Sequence, residues 1–137
     1  MQIEVFTLCD AATSQSGKLN ILGTFDSIWL DHVPAKHPQC TIALRLRFDK
    51  SEGSDHAVSV QFMDADGKKV LPPTNGKIGV RFPGLSRTVA ANLIFNIQGL
   101  KLEKFGEHSI SLNLDGKQRA ALPLFVYERK KDTGTKP

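Results

Sequence analysis

Between Asp26 and His37 the chain gathers two carboxylates and two imidazoles around its single tryptophan: Asp26, Trp29, Asp31, His32 and His37. Neutral imidazole nitrogen and anionic carboxylate oxygen are both good donors to zinc or iron. This cluster is therefore the candidate site, and a small metal-dependent enzyme or metal-binding protein built on Asp26, Asp31, His32 and His37 is the alternative it supports. The spacing does not favour ligation: His32 and His37 stand five apart with Pro34 between them, so no helix holds them on one face. The loop is expected to use its histidines at turns and beside prolines, and the indole of Trp29 is expected in the core. No metal ligand, catalytic residue or cofactor is assigned from it.

Other chemistry-bearing residues resolve into simpler readings. Asp64-Ala65-Asp66-Gly67 places paired carboxylates in a loop, which suits a hard cation. It lacks the further oxygen ligands and terminal glutamate of a calcium loop, so a hairpin turn is predicted. Cys9 and the four histidines supply the parts of a thiol–imidazole dyad without a spacing that assembles one. There is no Gly-x-Ser-x-Gly elbow, and Gly84-Leu85-Ser86 lacks the lysine spacing of a phosphate loop. Arg45 and Arg47 share one strand face, the pattern of a basic stripe. Nucleic-acid binding is not expected of it, because the phenylalanines that would stack bases (Phe48, Phe62, Phe95) fall in the inward register.

The elements that must position these groups have a period of two. Ile42, Leu44, Leu46 and Phe48 alternate with Thr41, Ala43, Arg45 and Arg47, as in a strand with one wet side. Val58, Val60 and Phe62 repeat the pattern. So do Val89, Ala91, Leu93, Phe95 and Ile97 against a weakly polar face of Ala90, Asn92, Ile94 and Asn96, and then Ile110, Leu112 and Leu114. Further strands are predicted over Ile3 to Cys9, Leu19 to Leu30 with a bend at Gly23, Lys77 to Phe82 and Ala120 to Tyr127. Asp115-Gly116 should close a hairpin. Pro34 to Pro38 and Pro72 to Gly76 read as loops. Pro123 points to an edge position or an interruption, since proline cannot donate to a ladder. In the last strand Ala121, Pro123, Phe125 and Tyr127 alternate with Leu122, Leu124 and Val126, so both faces are apolar and one needs a cover: loop, tail or a second copy.

The chain has 137 residues, 40% hydrophobic and 23% charged, with a formal net charge of +4. That allows one domain with a real core and argues against disorder. The opening Met-Gln-Ile-Glu-Val-Phe carries no basic region, so no secretory signal is expected, and no apolar run is long enough to span a bilayer. Two cysteines without a zinc or redox spacing, Cys9 and Cys40, are expected as free buried thiols of a cytoplasmic protein.

Leu8-Cys9-Asp10, Gly17 to Asp26, His37-Pro38 ahead of the Ile42 to Phe48 strand, Asp64 to Gly67 and Leu122 to Val126 carry a resemblance. Over residues 1 to 127 the chain is similar to an uncharacterised family of small bacterial proteins. The resemblance implies a stand-alone β-sandwich and assigns no activity. The sequence thus predicts an all-β, antiparallel two-sheet sandwich with immunoglobulin-like or related Greek-key topology over residues 1–128, and a polar tail over 129–137. Its expected function is a non-catalytic binding or protein-interaction module. The expected partner is a protein or a second copy met through the last strand, with neither membrane nor nucleic acid involved.

Overall fold

The alternating segments become strands because one side of each can be buried while the other stays wet. In the computed structural model, which describes residues 1–72 and 74–130, nine strands follow in order. They are β1 (Gln2–Gln15), β2 (Lys18–Thr24), β3 (Ser27–Leu30), β4 (Ala35–Asp49), β5 (Asp55–Met63), β6 (Thr74–Gly79), β7 (Thr88–Leu102), β8 (Gly106–Leu114) and β9 (Lys117–Glu128). Among the described residues there is no α-helix, only a 3-10 turn at Lys50–Glu52 capped by Asp49. No helix among them is long and apolar enough to cross a membrane. The strands form two sheets, ordered β2-β1-β4-β7 and β3-β9-β8-β5-β6, one of them curled into a half-barrel. Of the tail expected at 129–137, residues 131–137 lie outside the described residues.

The long strand predicted over Leu19 to Leu30 is divided. Gly23 has φ +68°, and a Cβ there would lie 2.5 Å from Asp10 Oδ2, so only glycine passes this point unstrained. Phe25 N–H still donates to Leu8 O at 3.0 Å. The chain then crosses to the facing sheet, where β3 runs parallel to β9, Ser27 opposite Phe125 through Leu30 opposite Glu128. This one pair corrects the expectation of antiparallel partners throughout. Because β3 covers β9 only from Phe125 onward, Pro123 faces an open edge and its missing N–H is harmless.

The core lies between the sheets. Ile42, Leu44, Leu46 and Phe48 of β4 meet Val58, Val60 and Phe62 of β5 and Ile110, Leu112 and Leu114 of β8 in one buried cluster, with Phe95 and Ile97 of β7. Each such side chain contributes roughly 1.5–3 kcal/mol on burial. Near the Pro34 to Pro38 segment, which is strand from Ala35 rather than loop, the alternation changes phase. Gly99 has φ +63°, and beyond it Leu100 and Leu102 turn inward opposite His37 and Ala35. The Pro72 to Gly76 loop is likewise shorter than predicted, since β6 starts at Thr74 and pairs Asn75 with Ser59. The Asp115-Gly116 hairpin forms as predicted, with positive φ at both residues (49° and 84°).

The outer side of the four-stranded sheet is not wet. β1 pairs with β4 over Gln2 to Cys9, and beyond that pairs only with β2. The hairpin tip then arches back over β4 and β7. Arg45 Nη1 donates to Gly17 O at 3.1 Å, and Asn92 Nδ2 donates to Ser14 Oγ at 3.2 Å and Gly17 O at 3.3 Å. Beneath it Thr41 and Ala43 are fully buried, and Asn92 and Ile94 are half-buried. These positions correct the wet faces predicted for β4 and β7. Cys9 sits in the same layer, its thiol donating to Thr41 O at 3.4 Å. Cys9 and Cys40 are both buried and unpaired. Burial, with Cys9 and Asp10 nearby, pushes the Cys40 thiol up to about 11.

Candidate functional site

The outer side of the five-stranded sheet has a different character. Residues opposite to the inward set are, on β5, Ala57, Ser59, Gln61 and Met63; on β8, Ser109, Ser111 and Asn113; and on β9, Gln118, Ala121, Pro123, Phe125 and Tyr127, with Arg119 exposed in the bulge between Gln118 and Ala120. Arg119 is the one charge within this set, and Asp55, Glu107 and Lys77 stand at the margins of the face. At the β3–β9 corner Trp29, opposite Tyr127, is 54% exposed, and Tyr127 is 40% exposed. This corrects the core position predicted for the tryptophan. The period of β3 decides it: Ile28 turns into the core, so Trp29 must turn out. The indole lies 4.6 Å from the Tyr127 ring, and Tyr127 is stacked on Phe125 at 5.9 Å. The three rings form one aromatic projection.

The predicted acidic and histidine cluster is only partly assembled. Trp29 and His37 line one open cleft of about 390 Å³ with Asp10, Phe25, Lys36 and Arg129. His37 stands 5.7 Å from the Phe25 ring, and its buried Nε2 has no hydrogen-bond partner. Asp26, Asp31 and His32 are not part of the lining. Asp26 accepts from Ser27 Oγ at 2.8 Å, Asp31 faces Arg129 Nη1 at 3.6 Å, and His32 is exposed in the turn after β3. Among the described residues no three His, Cys, Asp or Glu side chains come together in a way that could hold a metal ion. The crossover explains the dispersal: Asp26 precedes β3, Asp31 and His32 follow it, and His37 already belongs to β4 in the other sheet.

Two parallel-ladder bonds fix what the edge of β3 offers. Phe125 N–H donates to Asp26 O and Arg129 N–H to Leu30 O, so even-numbered residues bond to β9 and Ser27 and Trp29 face outward along the edge. Arg129 also folds its Nη2 onto Trp29 O at 3.2 Å. A cationic side chain over an open strand edge limits uncontrolled strand addition.

At the opposite corner of the same face, two shallow hollows of about 460 and 470 Å³ share Ala57 and Lys77. They exist because Ala57 and Gly79 leave little side chain above the backbone. One margin is the hairpin turn at Asp115, which pairs with His56. Asp115 Oδ2 lies 2.8 Å from His56 Nδ1, Oδ1 accepts from Ala57 N–H at 2.8 Å, and His56 Nε2 lies 3.1 Å from Gly53 O. The imidazole stacks on Phe48 at 4.3 Å. The hydrogen bonds from His56 and then Ala57 hold the Asp115 carboxyl below its usual range. Both ring nitrogens face oxygen atoms, so the pair clamps the hairpin to the start of β5.

Asp64 is also structural. Its Oδ1 accepts from Asp66 N–H and Lys68 N–H, each at 2.9 Å, which orders the Asp64 to Gly67 turn and lowers the carboxyl pKa. The basic stripe is occupied from below: Glu4, the bulged residue of β1, holds Arg45 at 2.9 Å and Arg47 at 2.6 Å. Sequence reasoning missed the hollow at Ala57 and the approach of Arg129 to Trp29, for which no local pattern exists. The projection itself was signalled by the doubly apolar alternation of Ala121 to Tyr127.

Residues 4–127 match a family of unknown function, DUF6941, and the chain belongs to that family. No curated protein matches it.

Proposed function

We propose that this member of the family is a non-catalytic protein-interaction module whose contact surface is the sparsely charged outer face of the five-stranded sheet. One observation carries the reading: the projection of Trp29, Tyr127 and Phe125 on a face whose interior bears a single charge, Arg119, in a chain that is 23% charged. Aromatic residues enriched and charges depleted at the centre of a patch are the composition of interface cores. The topology is read as immunoglobulin-like. Support comes from the order β3-β9-β8-β5-β6 with β3 parallel to the last strand, facing a sheet in which β4 and β7 pair. Two buried thiols left unpaired support a cytoplasmic location.

The test is capture and association with the full chain beside Trp29→Ala and Tyr127→Ala. Both substitutions lie on exposed positions and should leave the fold intact. A contact retained by the parent and lost by both variants is expected. A chain that neither self-associates nor captures any partner, or whose contacts survive both changes, overturns the reading.

A further inference from the structure

We propose that the occupant of this face is a second copy of the chain, each copy seating its Trp29–Tyr127 projection in the Ala57–Lys77 hollow of the other; the inference rests on the interaction reading above. Projection and hollow share one face and occupy diagonally opposite corners. Phe125 pairs with Glu107 at one end of β8, whereas Ala57 lies against Asp115 just past its other end. A two-fold axis lying in the interface along the other diagonal brings each projection over the partner's hollow, and the same contact is made twice.

Size and charge fit that arrangement. The five strands, about 4.8 Å apart, hold 4, 12, 9, 9 and 6 residues in sheet order and give a face of roughly 630 Å². That is at the lower end of the ~600–1,000 Å² per partner of standard interfaces. Two copies of a chain with net charge +4 repel at a distance, so a contact face poor in like charge favours their approach. The charges of this face are few and of both signs, Arg119 and Lys77 against Asp55 and Glu107. Lys77 at the margin of the hollow would lie beside the incoming indole, where an ammonium over the ring face is favourable.

Sedimentation and the emission of the single tryptophan test this together. The full chain is expected to dimerise reversibly, with Trp29 emission shifting to the blue as concentration rises. Trp29→Ala and Ala57→Arg should each weaken the dimer by about 10–100-fold with unchanged circular dichroism. Mixing the two variants should restore a heterodimer, because the projection of one and the hollow of the other remain intact. Three results overturn the inference: a monomer at every soluble concentration, a dimer insensitive to Ala57→Arg, or failure of the mixture to associate more strongly than either variant alone. A monomer whose blue emission is independent of concentration would mean that the indole is covered within one chain and would also overturn it. A monomer that captures another protein through Trp29 overturns the dimer but leaves the interaction module standing.

Discussion

The two sheets solve the same problem in opposite ways. Each has an inner face in the common core and an outer face with apolar residues that water does not favour. On the four-stranded sheet the cover is internal: the β1–β2 hairpin arches over Thr41, Ala43 and Ile94, and Arg45 ties its tip down through Gly17 O. On the five-stranded sheet no described residue arches over Phe125, Tyr127 and Trp29, and the face carries few charges. A face covered by its own chain can dispense with recognition and uses ion pairs at its rim. A face left open and sparsely charged is available to something else. The contrast explains why the most exposed aromatic side chains of the molecule all stand on one sheet.

Matched substitutions should break that contrast if it is wrong. Ala43→Asp places an unpaired carboxylate under the hairpin and is expected to destabilise by about 3–5 kcal/mol. Ala121→Asp on the open face should change stability by no more than about 0.5 kcal/mol. Urea titrations of the two variants suffice, and equal midpoints would show that the hairpin does not cover β4. Next in size is Gly23→Ala. It combines a positive φ with the close approach to Asp10 and should cost about 1–3 kcal/mol. Because the strain sits where β2 leaves its sheet, amide exchange should quicken first in β2 and at Phe25. Uniform loosening of β8 and β9 instead would relocate the weak point to the other sheet.

How much of this could be read from the sequence depends on whether the signal was local. The strands of the core were legible because Leu44, Val60 and Leu112 each sit in a period-two run that fixes its own inward side. The Asp115-Gly116 hairpin was legible because the turn demands those φ angles. The cover on the four-stranded sheet was not: Thr41 and Ala43 look like a wet face until the tip of the β1–β2 hairpin, Gly17, 28 residues before Arg45, lands over them, and nothing local announces it. At Trp29 residue type and local period point in opposite directions. Burial of a lone tryptophan is the ordinary outcome, yet four residues of β3 place Ile28 inward and leave the indole no choice. The candidate cluster failed as a site because proximity in sequence was interrupted by a crossing between sheets, which scatters Asp26, Asp31 and His32 around an edge that His37 has already left.

The smallest expected effect concerns the rim of the covered face, where Glu4 clamps Arg45 and Arg47. The hydrogen bond from Arg47, then that from Arg45, holds the Glu4 carboxyl below the usual glutamate range. A group whose pKa is lower in the folded chain binds its proton more readily when unfolded. Its contribution is therefore full above the unfolded value and is lost as pH falls through the folded one. Between pH 5 and 3, roughly the interval around a glutamate's ordinary titration, the parent should lose melting temperature faster than Glu4→Gln does. Asp115 titrates in the same direction in both proteins and cancels in the difference. Parallel melting curves across that interval would mean that the arginines do not clamp Glu4, and that the hairpin is held over β4 by Gly17 and Ser14 alone.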